Sequence, residues 1–409
     1  MTDDVRDLLL DAGAIYRDSP RASVVIRECL DRLDGALRVA FAGAPGSGKS
    51  TLAAAVGERP PRALRDLEFL DDPPPGVPAD ATVRLVRHLE PDELTAARPS
   101  GGSAFARQSA VNAVLVLARA DEIGAGRIDA LLTAKQLARR AWREDPLCTG
   151  FQGVIAVAGQ LAYGARSLRE DEFDLLAAFA AVPRAELERY VLSVDSFTDP
   201  AFPGPIPVET RRSLVVRFGL FGVRLALTLI RTGCDDRVKL SAELVKRSGL
   251  GELRDTLSGC FVARAEALKA RTAVLCLETV LAAEPRSHTD RLAARVERFA
   301  AAAHDFRELR LIADIRGGRT ALSGDPAEEA ERLLGAVGTS PADRLGLSRT
   351  PTPARSTTPV WTPCAGGATK LSARTARMPN ARPPTSSSGR RRGCWRCSPR
   401  SACRSRSRW

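Results

Sequence analysis

The segment GAPGSGKST, Gly43 to Thr51, decides how the first half of the chain is interpreted. It follows an apolar run, Leu37–Ala42, and it precedes the helix-forming residues LAAAV. Strand, glycine-rich turn and helix in this order match the pattern Gly-x-x-x-x-Gly-Lys-Ser, in which backbone N–H groups face phosphate oxygens. The segment therefore predicts a phosphate-binding loop (P-loop).

The residue types of this loop fit that chemistry. The glycines allow the turn, Lys49 reaches the β- and γ-phosphates, and the Ser50 hydroxyl ligates Mg²⁺. The helix that starts near Thr51 adds its positive end. Ser47 is the candidate catalytic side chain, which helps to orient an attacking water. The predicted nucleotide-binding residues of the loop are Gly43, Ala44, Pro45, Gly46, Ser47, Gly48, Lys49, Ser50 and Thr51.

Short apolar runs alternate with helical segments between residues 37 and 165. This alternation predicts an α/β head with a reduced parallel sheet and helices on both faces. From about 166 to 345, apolar residues recur every three or four positions, which predicts an all-α bundle. Residues 1–36 are interpreted as one or two amphipathic helices. The five strand candidates are Leu37–Ala42, Leu67–Leu70, Thr82–Val86, Ala113–Leu117 and Gly153–Ala158.

The positive charge of the chain is concentrated at one end. The net charge is +12, but from Arg344 onwards there are fifteen Lys or Arg and no Asp or Glu, so the remainder carries −3. The bulk charge therefore predicts no specific nucleic-acid partner. Residues 346–409 are rich in Ser, Thr, Pro, Arg and Gly without sustained periodicity, and they are predicted to form a disordered basic tail.

The sequence predicts a cytoplasmic location. The nine cysteines show no disulfide framework, and the start, MTDDVRDLLL, is too acidic for a signal peptide. No stretch of about 18 uncharged apolar residues occurs, so no membrane-spanning helix is expected. The segment FGLFGVRLALTLI, Phe218–Ile230, fits either a membrane-touching helix or a core helix; Arg224 favours the core helix.

A second candidate site follows the fourth predicted strand. Arg119 and Asp121 come directly after the apolar run that ends at Leu117, where open parallel sheets bind ligands. An aspartate there can accept two hydrogen bonds from guanine, and the arginine can stack over the base. An aspartate after a strand is also a common helix N-cap. Since GAPGSGKST by itself resembles the loops of nucleotide kinases and ATPases, these residues alone leave the nucleotide open.

Longer segments resemble a known family. ARADEIGAGRIDALLTAKQLARR, from Ala118, and GVIAVAGQLAYGARSLREDEFDLLAAF, from Gly153, are similar to the actinobacterial dynamin-like GTPases, the group that includes the isoniazid-inducible proteins. The resemblance covers roughly residues 40–57 and 66–347. It implies a GTPase head at 37–165, a helical stalk at 166–345, and N-terminal helices at 1–36 that pack on the stalk.

The resemblance also implies ligands and partners. GTP or GDP would bind with Mg²⁺, Arg119 and Asp121 would read guanine, and Ala158 and Gly159 would lie near the base. Partners would be a second dynamin-like chain, in a homo- or hetero-oligomer, and peripherally the anionic inner face of the plasma membrane.

Two parts of the family's head are shortened. Between Gly57 and Leu67 there are nine residues, ERPPRALRD, without the switch threonine that ligates Mg²⁺. In LDDPPPG, which stands where the family has D-T-P-G, Asp71 aligns with the acid that holds the Mg²⁺ shell, Asp72 replaces the threonine, and Pro74 replaces the glycine and has no N–H.

Phosphoryl transfer depends on positioning, so the sequence predicts a GTP-binding protein with weak or absent hydrolysis. Its alternatives are an ATP-binding enzyme of kinase type and a non-catalytic scaffold partner of an intact dynamin-like GTPase.

Overall fold

The computed structural model of the chain describes residues 2–73, 77–98, 105–106, 111–202, 206–302 and 304–347. The predicted tail falls outside the described residues from 348 onwards, and so does Pro74.

A five-stranded parallel sheet forms the centre of the α/β part, with strand order β2-β1-β3-β4-β5. The predicted strands are confirmed to within one residue at each end. In this order the winding reverses between β1 and β3, which is the point where doubly wound sheets bind ligands at their carboxyl ends. The strands are β1 Leu37–Gly43, β2 Leu67–Asp71, β3 Ala81–Val86, β4 Ala113–Ala118 and β5 Val154–Val157.

Helices account for most of the remaining described residues. Those up to the end of the sheet are α1 Thr2–Ile15, α2 Pro20–Asp34, α3 Lys49–Gly57, α4 Pro91–Ala97, α5 Ile123–Gly126 and α6 Ala130–Glu144. Those after it are α7 Gly159–Arg166, α8 Glu170–Ala181, α9 Arg184–Leu187, α10 Val194–Phe197, α11 Val208–Arg231, α12 Arg237–Arg247, α13 Leu250–Cys260, α14 Ala265–Ala283, α15 Asp290–Ala302, α16 His304–Arg316, α17 Asp325–Leu333 and α18 Pro341–Arg344.

The core divides along the two faces of the sheet. Successive side chains of a strand point to opposite faces, so in β4 Val114 and Val116 join one apolar cluster while Leu115 and Leu117 join another. The first cluster contains buried residues of α1, α2, α3, α13 and α14. The second contains buried residues of α4, α6, α8 and α11. Both faces of the sheet are therefore covered by helices, as the alternation predicts.

The N-terminal helices pack against α14. The Tyr16 hydroxyl donates a hydrogen bond to the carbonyl of Glu284 at 2.7 Å, and Lys269 Nζ donates to the carbonyl of Leu33 at 2.6 Å. Tyr16 is fully buried. The first and later parts of the described chain therefore share one core.

Helix α11 is bent. Its residue Gly219 has φ 68° and ψ 160°, outside the helical region. Among the described residues it is the one helix long and apolar enough to cross a membrane, and half of its most apolar stretch is buried inside the protein. Helices buried in a protein core are also apolar on all sides, so this composition is weak evidence for a membrane span.

Candidate functional site

The glycine-rich loop follows β1 and leads directly into α3. Gly46 and Gly48 have φ values of 73° and 90°, a left-handed region that glycine enters without steric cost. Gly43 has another reason to be glycine, because a Cβ there would lie 2.5 Å from the carbonyl oxygen of Leu85 on β3. Backbone geometry therefore accounts for all three glycines that the sequence pattern contains.

Lys49 folds back onto this loop. Its Nζ donates to the carbonyl of Gly43 at 2.7 Å, and Asp72 Oδ2 lies 3.2 Å from the same nitrogen. Asp71, the acid that the resemblance assigns to the Mg²⁺ shell, is exposed. The carboxylate that meets Lys49 is thus that of Asp72.

Arg119 connects the end of β4 to the loop. Its guanidinium donates to the carbonyl of Gly46 at 3.0 Å and to Glu122 Oε1 at 2.8 Å. Its backbone is left-handed, with φ 52°, a conformation that is uncommon for a residue other than glycine. Arg119 therefore lies against the edge of the predicted phosphate site.

Asp121 is a nearly buried acid, 9% exposed. Among the described residues no side chain donates a hydrogen bond to the Asp121 carboxylate. Its charged form is stabilised by its own backbone N–H and by the positive charge of Arg119. Burial, and then the nearby negative charge of Glu122, raise the pKa of Asp121 above its ordinary value. A buried carboxylate without a side-chain donor is costly, so Asp121 is a candidate acceptor for donors on a ligand.

A cavity of about 470 Å³ joins the loop to Asp121. The predicted residues that line it are Ser47, Gly48, Thr51, Arg119, Asp121 and Gly159. The other predicted residues are not part of the lining: Gly43, Ala44, Pro45, Gly46, Lys49, Ser50, Ala158 and Asp71. The structure thus brings the two candidate sites of the sequence to one cavity.

Ser47 also lines the cavity, and it is 1% exposed. Its Oγ is buried and has no hydrogen-bond partner in the structure. Ser47 Oγ, which lacks a partner, and the Asp121 carboxylate, which has no side-chain donor, are therefore two polar groups of one cavity, and this supports a polar ligand there.

Several cavity residues escape prediction from the sequence, and among them are Gln160, Val216 and Arg217. Gln160 Nε2 donates to the carbonyl of Val216 at 2.6 Å, a carbonyl on the last turn before the bend at Gly219. The only sequence signal for this wall is a glycine within a helical pattern, and it does not say which face of the bend meets the sheet.

Arg217 is held away from the glycine-rich loop by a buried acid. Its Nε lies 2.5 Å from Glu172 Oε1, and the Glu172 side chain is 3% exposed. A second nitrogen donates to the carbonyl of Ser167 at 2.8 Å. Arg217 therefore fixes α11 to α8 below the cavity, and its charge is already neutralised.

The region between α3 and β2 is short. After Gly57 it contains a 3-10 turn, Arg62–Leu64, and then β2, which pairs directly with β1 from Leu67 opposite Leu37. Residues 58–66 are all described, and they form no strand. The threonine-bearing switch segment therefore has no counterpart between these elements.

Metal ligands are sparse near the loop. Within the described ranges, no group of three or more His, Cys, Asp or Glu is placed to hold a metal ion. Mg²⁺ at nucleotide sites is held mainly by phosphates and waters with one or two protein ligands, and Ser50 and Asp71 are the two that the sequence predicts.

Fold and cavity together define an open parallel α/β protein whose candidate site lies at the carboxyl ends of β1 and β4. Two curated relatives match 301 residues at 38% identity: isoniazid-induced protein IniC of Mycobacterium tuberculosis, in strain CDC 1551/Oshkosh and in strain ATCC 25618/H37Rv. The match covers 73% of this chain, which spans about 60% of the length of these relatives. The resemblance to the isoniazid-inducible group of dynamin-like proteins is thereby confirmed. No protein-family model and no solved structure matches the chain.

Proposed function

We propose that this dynamin-like protein binds GTP or GDP in the cavity and hydrolyses GTP weakly or not at all. The observation that carries the proposal is Asp121, a nearly buried carboxylate without a side-chain donor, in the cavity that also touches the glycine-rich loop. The loop would hold the phosphates and Asp121 would hold the base.

The chemistry of Asp121 favours guanine. Guanine presents two adjacent donors, its N1–H and its N2 amino group, and an ionised carboxylate offers two acceptor oxygens. Adenine presents an acceptor at N1, which the same carboxylate would repel. Arg119 is close enough to the loop, through its bond to the Gly46 carbonyl, to lie beside a base joined to phosphates there.

At the other end, Lys49 and the backbone N–H groups of the loop would bind the phosphates. Mg²⁺ would be bound by the phosphates with Ser50, and Asp71 would take part through water. Bound Mg²⁺ neutralises phosphate charge; the residues of this chain bind and orient the nucleotide.

Slow hydrolysis follows from residues 58–66, which contain no threonine or serine and form no switch strand. The same absence favours a second candidate function, a non-catalytic partner of an intact dynamin-like chain. Association with the anionic inner face of the membrane belongs to this proposal too, and the family resemblance is its support.

Titration of the purified full chain with GTP, GDP, ATP and xanthosine triphosphate in Mg²⁺ tests base selectivity. We expect tighter binding of guanine nucleotides than of ATP. Asp121→Asn should weaken GTP binding at least about tenfold, because a charge-assisted hydrogen bond contributes about 1.5–3 kcal/mol. It should strengthen binding of the xanthine nucleotide, whose O2 accepts from the amide.

The control is Asp129→Asn, at an exposed acid outside the cavity lining. It should leave all four affinities unchanged. Equal affinity of the wild type for ATP and GTP, or an Asp121→Asn variant with unaltered preference, would remove guanine from the proposal.

Phosphate release from GTP, measured with and without vesicles of anionic lipid, tests the proposal that hydrolysis is weak or absent. We expect GTP turnover close to the background rate both in the presence and in the absence of vesicles. Rapid, vesicle-stimulated turnover would show that the shortened switch region still supports catalysis.

A further inference from the structure

The amine on which phosphate binding depends is already engaged by an acid. Lys49 Nζ lies 3.2 Å from Asp72 Oδ2 and donates to the Gly43 carbonyl at 2.7 Å. The Lys49 side chain is 11% exposed and the Asp72 side chain 62%. Asp72 is therefore the solvent-exposed member of the pair, the one that can leave without opening the protein.

The backbone places this acid beside the loop. Asp72 has φ 45°, and its N–H donates to the carbonyl of Phe41 at 3.1 Å. Phe41 lies in β1, two positions before Gly43. Aspartate and asparagine are among the few residues that adopt left-handed conformations readily, so the local geometry suits an aspartate here.

We propose that Asp72 is an autoinhibitory residue, which occupies Lys49 in the nucleotide-free protein and is displaced by an incoming phosphate. This inference rests on the proposed function. The ligand is a nucleoside di- or triphosphate, since a phosphate oxygen and the carboxylate compete for the same amine. Once displaced, the carboxylate remains near the phosphates and repels them, so it lowers affinity in two ways.

Two adjacent acids give a matched pair of variants, Asp72→Asn and Asp71→Asn. Asparagine keeps the size and the left-handed preference of residue 72 and removes its charge. Dissociation constants of GDP and GTP are measured on the full chain with Mg²⁺ and again with a chelator. Because exposed ion pairs are weak, Asp72→Asn should tighten binding about three- to tenfold in both conditions, and Asp71→Asn should tighten it less than about twofold in the chelator.

Unchanged or weaker binding by Asp72→Asn in the chelator overturns the proposal. A loss of affinity confined to Mg²⁺ also overturns it, because that result makes Asp72 a metal ligand.

A readout without nucleotide separates this contact from the proposed function. Acylation of Lys49 by an amine-reactive ester, followed by peptide mass spectrometry, should be at least about twofold faster in Asp72→Asn than in the wild type, because the amine loses its ion-pair partner and is less shielded from the reagent. Asp71→Asn should label at the wild-type rate. If the wild type binds no purine nucleotide, the proposed function fails, but the labelling rates still test whether Asp72 occupies Lys49. Equal labelling rates in the wild type and in Asp72→Asn would overturn the autoinhibitory contact.

Discussion

At the scale of single residues, Asp121 combines burial with a position on the cavity wall, and the proposed nucleotide binding should therefore depend on pH. Burial raises its pKa above the ordinary 3.8, so its protonation begins at a higher pH than that of an exposed aspartate. A protonated carboxyl loses acceptor capacity, and guanine-nucleotide affinity should therefore fall as the pH is lowered through the raised pKa.

The stability of the folded protein should depend on pH in the opposite direction. The folded state holds the Asp121 proton more tightly than the unfolded state does, so the contribution of Asp121 to stability decreases as the pH rises through the same range.

Titration with GDP at a series of pH values, from neutral down towards the ordinary pKa of an aspartate, measures this dependence. Asp121→Asn, titrated with GDP over the same range, supplies the control, since its amide has no proton to gain. Identical pH profiles for the two proteins would assign the dependence to another group.

Gly43 allows a sharper residue-scale prediction. Because an added Cβ would lie 2.5 Å from the Leu85 carbonyl oxygen, Gly43→Ala should lower the free energy of unfolding by about 1–3 kcal/mol. Gly251→Ala on α13 is its control, since a Cβ there has no atom within 4 Å, and it should be neutral or stabilising by up to about 1 kcal/mol. Denaturant unfolding measures the stability of both variants. Equal free energies of unfolding would mean that β3 shifts to accommodate the added methyl group.

Residue-scale prediction from the sequence succeeds where local pattern carries the information. The spacing of the loop and the position of Asp121 after a strand suffice to place Ser47, Thr51 and Asp121 at one cavity. The contact between Lys49 and Asp72 depends on how two strand ends meet, and no spacing encodes it. The same holds for the approach of α11 to Asp121, where a Cβ on Gly219 would lie 3.7 Å from Asp121 Oδ2.

At the scale of elements, the bend in α11 is the feature that shapes the cavity wall. With φ 68° and ψ 160°, Gly219 adopts a conformation that is essentially restricted to glycine. Gly219→Ala should destabilise the protein by about 1–3 kcal/mol and should increase hydrogen exchange in the segment before the bend. Thermal unfolding and exchange mass spectrometry measure this. The control is again Gly251→Ala; a Gly219→Ala variant as stable as the wild type would mean that the helix can straighten.

The strands could be predicted to within one residue because each is a short apolar run, and four of the five lie close to polar or glycine-rich turns. The bend could not, because apolar residues continue at helical spacing on both sides of Gly219 and a period of 3.6 does not record a single broken turn.

At the scale of the whole molecule, the N-terminal helices α1 and α2 pack against α14, more than 200 residues later in the chain. The hydroxyl of the buried Tyr16 reaches the Glu284 carbonyl at 2.7 Å. Tyr16→Phe removes this bond and should cost about 1 kcal/mol of unfolding free energy. Tyr163→Phe is the comparison, since the Tyr163 hydroxyl makes no hydrogen bond to the described residues, and it should cost less. If the two substitutions cost the same, the long-range bond contributes nothing to stability.

Helix α3 is fixed at both ends to different parts of the chain. It begins at Lys49, and at its other end the carbonyls of Ala55 and Val56 accept hydrogen bonds from Arg254 on α13 at 3.1 and 3.2 Å. Arg166 on α7 donates to Ala55 and to Glu58 as well. Burial, and then the neighbouring Arg166, lower the pKa of Arg254 to about 10, which reflects how closely the two cations are enclosed there.

A nine-residue helix behaves as a stiff rod of about 13 Å. A shift of the first turn would therefore be transmitted along α3 to both guanidinium groups, and through them to α7 and α13, two helices that follow the sheet. We therefore expect a movement of the glycine-rich loop to be felt by two helices that are distant from it in sequence.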